Sequence, residues 1–133
     1  MEKFWRVHYA MDAITSSKAL FFWKLAAKGD LMIRVIASIH IKKGKLSDYL
    51  QILKAGLPAV KKEKGCVGYL PACDIDTGLP IQVLDDHCVT ILEQWESLEA
   101  LNAHLRSPHM LDYREKVKDL VDRVSVKILR VLD

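Results

Sequence analysis

From Leu31 to Ile41 the chain reads LMIRVIASIHI, with Ile33, Val35, Ala37, Ile39 and Ile41 at every second position. That period puts these side chains on one face of a strand and Arg34, Ile36, Ser38 and His40 on the other. Gly44 ends the run. Leu50, Leu53, Leu57 and Val60 then recur three or four apart, the spacing of one helical face. Ser47 is placed to cap this helix. Pro58 is expected to kink or split it, because proline removes a hydrogen bond and clashes with the preceding turn. Lys61, Lys62 and Lys64 suit the negative end of the helix dipole, and Gly65 suits the position just past the C-cap.

A second strand is expected over Cys66–Cys73, at an edge because Pro71 cannot donate to a ladder. Asp74 to His87 forms a long connection of the kind that often serves as a lid or binding loop. A third strand follows over Cys88–Trp95. Ser97 caps a helix striped by Leu98, Leu101 and Leu105, and Ser107-Pro108 opens another carrying Met110, Tyr113, Val117, Leu120 and Val121. Val124 to Leu132 closes the chain as a strand.

The order β-α-β-β-α-β predicts an α+β fold of the ferredoxin-like, split βαβ kind, with helices on one face of the sheet. A sheet covered on one side should alternate cleanly. Here Ile36 and Leu92 lie opposite the main apolar rows, and Leu129 and Val131 oppose Val124, Val126 and Ile128. Apolar residues on both faces call for a second cover, and another copy of the chain, sheet against sheet, is the simplest one. A homodimer is therefore expected.

Two units are expected: an extension over 1–31 and a domain over 32–133. In the extension, Leu20, Trp23 and Ala27 fall at helical spacing among Phe4, Trp5, Phe21 and Phe22. Ala13 to Lys28 reads as a helix packing on the dimer or on a neighbouring chain, a route to a higher oligomer. A mis-assigned start is the alternative. Residues 1–28 fit a secretory leader poorly, since Lys24 interrupts the longest apolar run there, Ala19 to Trp23.

Composition narrows the function classes. Half of the 133 residues are hydrophobic and 28% are charged, which excludes a disordered chain. The net charge of +3 is spread out, so no nucleic-acid partner is indicated. No apolar run reaches the ~18 residues of a membrane span. The three cysteines, Cys66, Cys73 and Cys88, form no CxxC pair, which favours a reducing, cytoplasmic setting over a disulfide framework. They also lack zinc-type spacing, and no HExxH, P-loop or G-x-G-x-x-G occurs, so neither metal nor nucleotide cofactor is indicated. Haem would need an axial histidine, for which His104 is the candidate.

Three runs carry a family resemblance: Gly65-Cys66-Val67-Gly68-Tyr69, Glu93-Gln94-Trp95-Glu96-Ser97, and His104-Leu105-Arg106-Ser107-Pro108-His109-Met110. Together, over roughly Met32 to Leu132, they resemble the antibiotic biosynthesis monooxygenase family, and within it the bacterial quinol monooxygenases. The resemblance implies a dimeric α+β barrel, a small aromatic substrate, and oxygenation by dioxygen without metal, flavin or haem. Residues 1–31 have no counterpart in the family pattern.

Quinol oxygenation needs a base, an apolar pocket and a few oriented donors, because a quinolate gives an electron to dioxygen far more readily than a neutral quinol. Histidine titrates near working pH and is the natural base. His104 and His109 are the candidates, since the Ser107-Pro108 break would let both face one pocket; solvated or capping histidines are the alternative. His40 is a lesser candidate. Tyr69, Trp95 and Tyr113 would stack on or orient an aromatic substrate, or else fill the core. Glu93 shares strand parity with Trp95, and a buried carboxylate there would need a partner, with a salt bridge across the dimer as the plain explanation. A proton-moving isomerase or tautomerase, and a non-catalytic barrel that sequesters a hydrophobic ligand, are the competing functions.

Overall fold

The structure, a computed structural model, describes residues 32–132. The expected helix within 1–31 lies outside the described residues. Seven elements follow in order: β1 (Ile33–Ile41), α1 (Leu46–Lys61), β2 (Cys66–Cys73), β3 (Cys88–Trp95), α2 (Leu98–Leu105), α3 (Pro108–Val117) and β4 (Val121–Leu129). The strands form one antiparallel sheet in the order β2-β3-β1-β4. This is the ferredoxin-like α+β arrangement, and β2, with its Pro71, is an edge strand as expected.

Alternation decides which face is covered. Ile33, Val35, Ala37, Ile39 and Ile41 are all buried, and the register sets Val35, Ala37 and Ile39 beside Glu93, Ile91 and Val89 of β3 and Ile128, Val126 and Val124 of β4. Tyr49 and Leu53 of α1, Leu101 of α2 and Val117 of α3 close the core over this row. On the opposite face Ile36 pairs with Leu92, and Leu92 with Leu70. Leu70 is 59% and Leu92 45% exposed, so an apolar strip of the sheet is left uncovered.

Several local expectations change. Lys45, not Ser47, caps α1, without a side-chain bond. Pro58 does not split the helix, which runs as one element to Lys61. Pro58 opens its last turn, so it removes only the bond to the Lys54 carbonyl, and three residues of helix follow it. Gly65 is not the residue past the C-cap, since Lys62 is the C-cap; it lies in the following turn at φ +86°, and a Cβ there would meet the Ala100 Cβ at 2.5 Å. Only glycine fits such a close approach at positive φ. The last strand begins at Val121 rather than Val124 and ends at Leu129, so Val121 belongs to the sheet rather than to α3. Ser97 and Ser107 cap α2 and α3 as expected, with Pro108 opening α3.

The 74–87 connection holds itself together through Thr77 Oγ1 donating to Gln82 Oε1 (2.6 Å) and Asp85 N donating to Asp74 Oδ2 (2.8 Å).

Candidate active site

The covered face of the sheet does not meet α2 and α3 everywhere. A cavity of about 120 Å³ remains between them. Its walls are apolar side chains of β1, β3, β4, α2 and α3, chiefly Val35, Ala37, Ile91 and Val126, and its polar groups come from Tyr69, Glu93, His104 and Tyr113. An apolar cavity of ~150 Å³ takes one benzene ring, so this volume is of the order of a single aromatic ring. The 74–87 connection, a candidate lid or binding loop, contributes nothing to its walls.

Four of the six site candidates therefore line one space. Trp95 stands behind it, fully buried, with its ring 4.6 Å from that of His104. Tyr69 meets the same imidazole edge-on at 5.6 Å. His109 does not reach this cavity; it borders a smaller void of about 20 Å³ beside Leu57 and Val60. His40 lies on the uncovered face, 3.1 Å from Asp85 Oδ2.

The residue that ties the histidines together is Glu63, which sequence reasoning missed. Its carboxylate accepts from His104 Nδ1 at 2.9 Å through Oε2 and from His109 Nε2 through Oε1. A signal existed: Glu63 is the one acid in Lys61-Lys62-Glu63-Lys64, just past the end of α1, where the helix dipole disfavours an acid. The helix break after His104 does what was expected of it, turning His109 back toward its neighbour, but onto Glu63 rather than into the cavity. These three residues bring their donor atoms within 4.8 Å of one another, as do Asp85, Asp86 and His87. In the first group both imidazole nitrogens already have the carboxylate as partner, and those hydrogen bonds account for the cluster.

Electrostatics separate His104 from Glu93. Burial pushes the His104 pKa down, against the opposing pull of Glu63. The imidazole is thus biased toward neutral, and with Nδ1–H directed at a carboxylate its lone pair resides on Nε2. Glu93 moves the other way. Burial raises it to about 7, partly offset by the hydrogen bond that Trp95 Nε1 donates to Oε2 at 2.8 Å. The partner that Glu93 required is this indole, within its own strand. Tyr113 receives support from below: its hydroxyl is 2.7 Å from that of Tyr49, which burial makes harder to ionise.

A ferredoxin-like sheet here carries an apolar cavity with one buried histidine and one buried carboxyl group on its walls, a space that suits a small, mostly apolar molecule. The chain belongs to the antibiotic biosynthesis monooxygenase family, whose family model matches residues 32–116. It is 37% identical over 105 residues to the Escherichia coli K12 protein named "Probable quinol monooxygenase YgiN", spanning 74% of this chain and 97% of that one. Rv0793 from Mycobacterium tuberculosis is a structural relative, with a TM-score of 0.65, 29% identity, and coverage of 77% of this chain and 96% of that one. A conserved protein from Methanosarcina mazei Go1 shares the fold at a TM-score of 0.67 and 23% identity, covering 80% and 98%. Among the described residues no helix is long and apolar enough to cross a membrane.

Proposed function

We propose that this enzyme is a monooxygenase that oxidises a quinol or similar small polyphenol with dioxygen, using no cofactor, and that it works as a homodimer joined through the uncovered sheet face. The observation that carries the reading is His104: nearly fully buried, on the wall of a ring-sized apolar cavity, with Nδ1 committed to Glu63. A neutral imidazole so held is a general base at Nε2, and its carboxylate partner stabilises the imidazolium that forms. Tyr69 and Tyr113 orient the substrate oxygens, and the apolar walls hold the ring. Trp95 packs behind the base. His109 shares Glu63 and so positions it rather than touching substrate. The substrate does the redox work: the quinolate passes an electron to dioxygen and the radical pair collapses to a peroxide. The homology to the quinol-named relative supports the substrate class. Oxygen uptake with a panel of chemically reduced quinols, corrected for autoxidation and run with and without chelator, tests this. Uptake that depends on the enzyme and survives chelation supports it. Proton exchange or isomerisation under nitrogen without oxygen uptake would point to the isomerase, and binding without turnover to a carrier.

A further inference from the structure

Glu93 is the group this mechanism leaves unused. The residue is 8% exposed, it lines the cavity, and one of its oxygens is held by the Trp95 indole. The groups around it are Glu63 after α1, Cys66 and Tyr69 on β2, and His104 and Tyr113 across the cavity from α2 and α3. Its nearest strand neighbour on β1 is Val35. With no lysine or arginine among these neighbours in the described residues, a carboxyl group in such a place is costly as an anion and comfortable as an acid.

We propose that Glu93 is a second catalytic residue, the acid that delivers a proton to the peroxide formed on the substrate, so that the cavity pairs one base with one acid, both in contact with Trp95. The inference rests on the monooxygenase reading above. The steps balance for a quinol with a free ring position. His104 takes the phenol proton. The quinolate and dioxygen join by a carbon–oxygen bond, leaving a peroxide anion. Glu93 gives its proton to the terminal oxygen and becomes a carboxylate. That carboxylate then takes the proton from the same ring carbon. The released electron pair forms the new carbonyl, the oxygen–oxygen bond breaks, and the departing hydroxide takes the proton stored on His104 to leave as water. Quinol plus dioxygen gives hydroxyquinone plus water, and both residues return to their starting states.

Two roles for the same carboxyl group differ in what they predict. A residue that only binds substrate would change KM. An acid for the peroxide would leave KM nearly unchanged and alter the fate of oxygen. Glu93→Gln keeps an acceptor for the Trp95 indole and removes the transferable proton. The expected result with a reduced naphthoquinone is a fall in hydroxyquinone formation of ~10²-fold or more, within the usual range for general acid–base catalysis. Hydrogen peroxide should appear in its place. The falling limb of the parent's pH–rate profile, expected near neutrality where Glu93 titrates, should vanish in the variant. Infrared difference spectroscopy of the parent against Glu93→Gln reads the protonation directly, without turnover, and should show a carboxylic-acid carbonyl band at pH 6 that is lost by pH 8. An ionised Glu93 at pH 6, or a variant with the parent's product ratio and pH profile, overturns the proposal. If the parent consumes no oxygen with any quinol while the acid band is present, it is the monooxygenase reading that fails, and the acid role for oxygen with it.

Discussion

His104 Nδ1 lies 2.9 Å from Glu63 Oε2, a contact that joins α2 to the turn after α1 across 41 residues of sequence. It sets the tautomer of the one histidine on the cavity wall. Glu63→Gln keeps the size of the side chain but lets an amide NH₂ face Nδ1, which would move the imidazole proton to Nε2 and remove the base. We expect kcat to fall ~10²–10⁴-fold with KM little changed, the pattern seen when a base is held in the wrong tautomer. Nitrogen chemical shifts of His104 check the tautomer independently of activity.

Gly65 governs how α2, and so His104, meets the sheet. Glu96 N donates to Gly65 O at 2.8 Å, and there is no room for a Cβ against Ala100. Gly65→Ala should destabilise the fold by about 2–4 kcal/mol, from left-handed backbone and steric clash together. Gly44→Ala is the control. Gly44 also has positive φ, at +79°, but nothing lies within 4 Å of its Cβ position, so only the backbone cost of about 1–2 kcal/mol should appear. Urea midpoints of the two variants measure the difference.

The strand and helix pattern was legible because periods of two and of three to four need only local sequence. The β1 row, the Ser97 and Ser107 caps and the parity of Glu93 with Trp95 all followed from it. What escaped was set by tertiary contact. Glu63 gains its meaning only when α2 folds back over the end of α1. His109 was placed with His104 by the proline break, but which carboxylate it would find depends on that same packing. The start of β4 at Val121 depends on the register shift between His40 and Ile41, which no local signal marks.

Stability should carry the signature of Glu93. Its pKa is raised from about 4.5 to about 7, so between those pH values the folded chain holds a proton that the unfolded chain has released. Stability therefore declines as pH rises through that window and levels off above it. His104, lowered by burial, adds an opposite loss as pH falls below the ordinary histidine range, because the unfolded chain then takes up the proton first. Glu93→Gln should remove the first slope and be more stable than the parent at pH 8, with the gain shrinking toward pH 5. Denaturation midpoints of both proteins from pH 5 to pH 8 check the sign.

The uncovered strip of Ile36, Leu70 and Leu92 makes the assembly testable. Replacing Leu92, 45% exposed, by glutamate would place a charge at the centre of a sheet-on-sheet interface. The parent should sediment as a dimer at micromolar concentration, and Leu92→Glu should shift it toward monomer by at least tenfold in Kd, the equivalent of about 1.4 kcal/mol. A monomeric parent would contradict the dimer.

The proposed reaction stands or falls with His104 as its base. Its direct test is oxygen uptake by His104→Ala with a reduced naphthoquinone across pH 6 to 9, on protein shown by circular dichroism to be folded. A rate ~10²–10⁴-fold below the parent is expected at neutral pH. The deficit should narrow as pH rises and the quinol ionises unaided, with partial rescue by added imidazole. A His104→Ala protein that oxidises the quinol at the parent's rate throughout that range would contradict it.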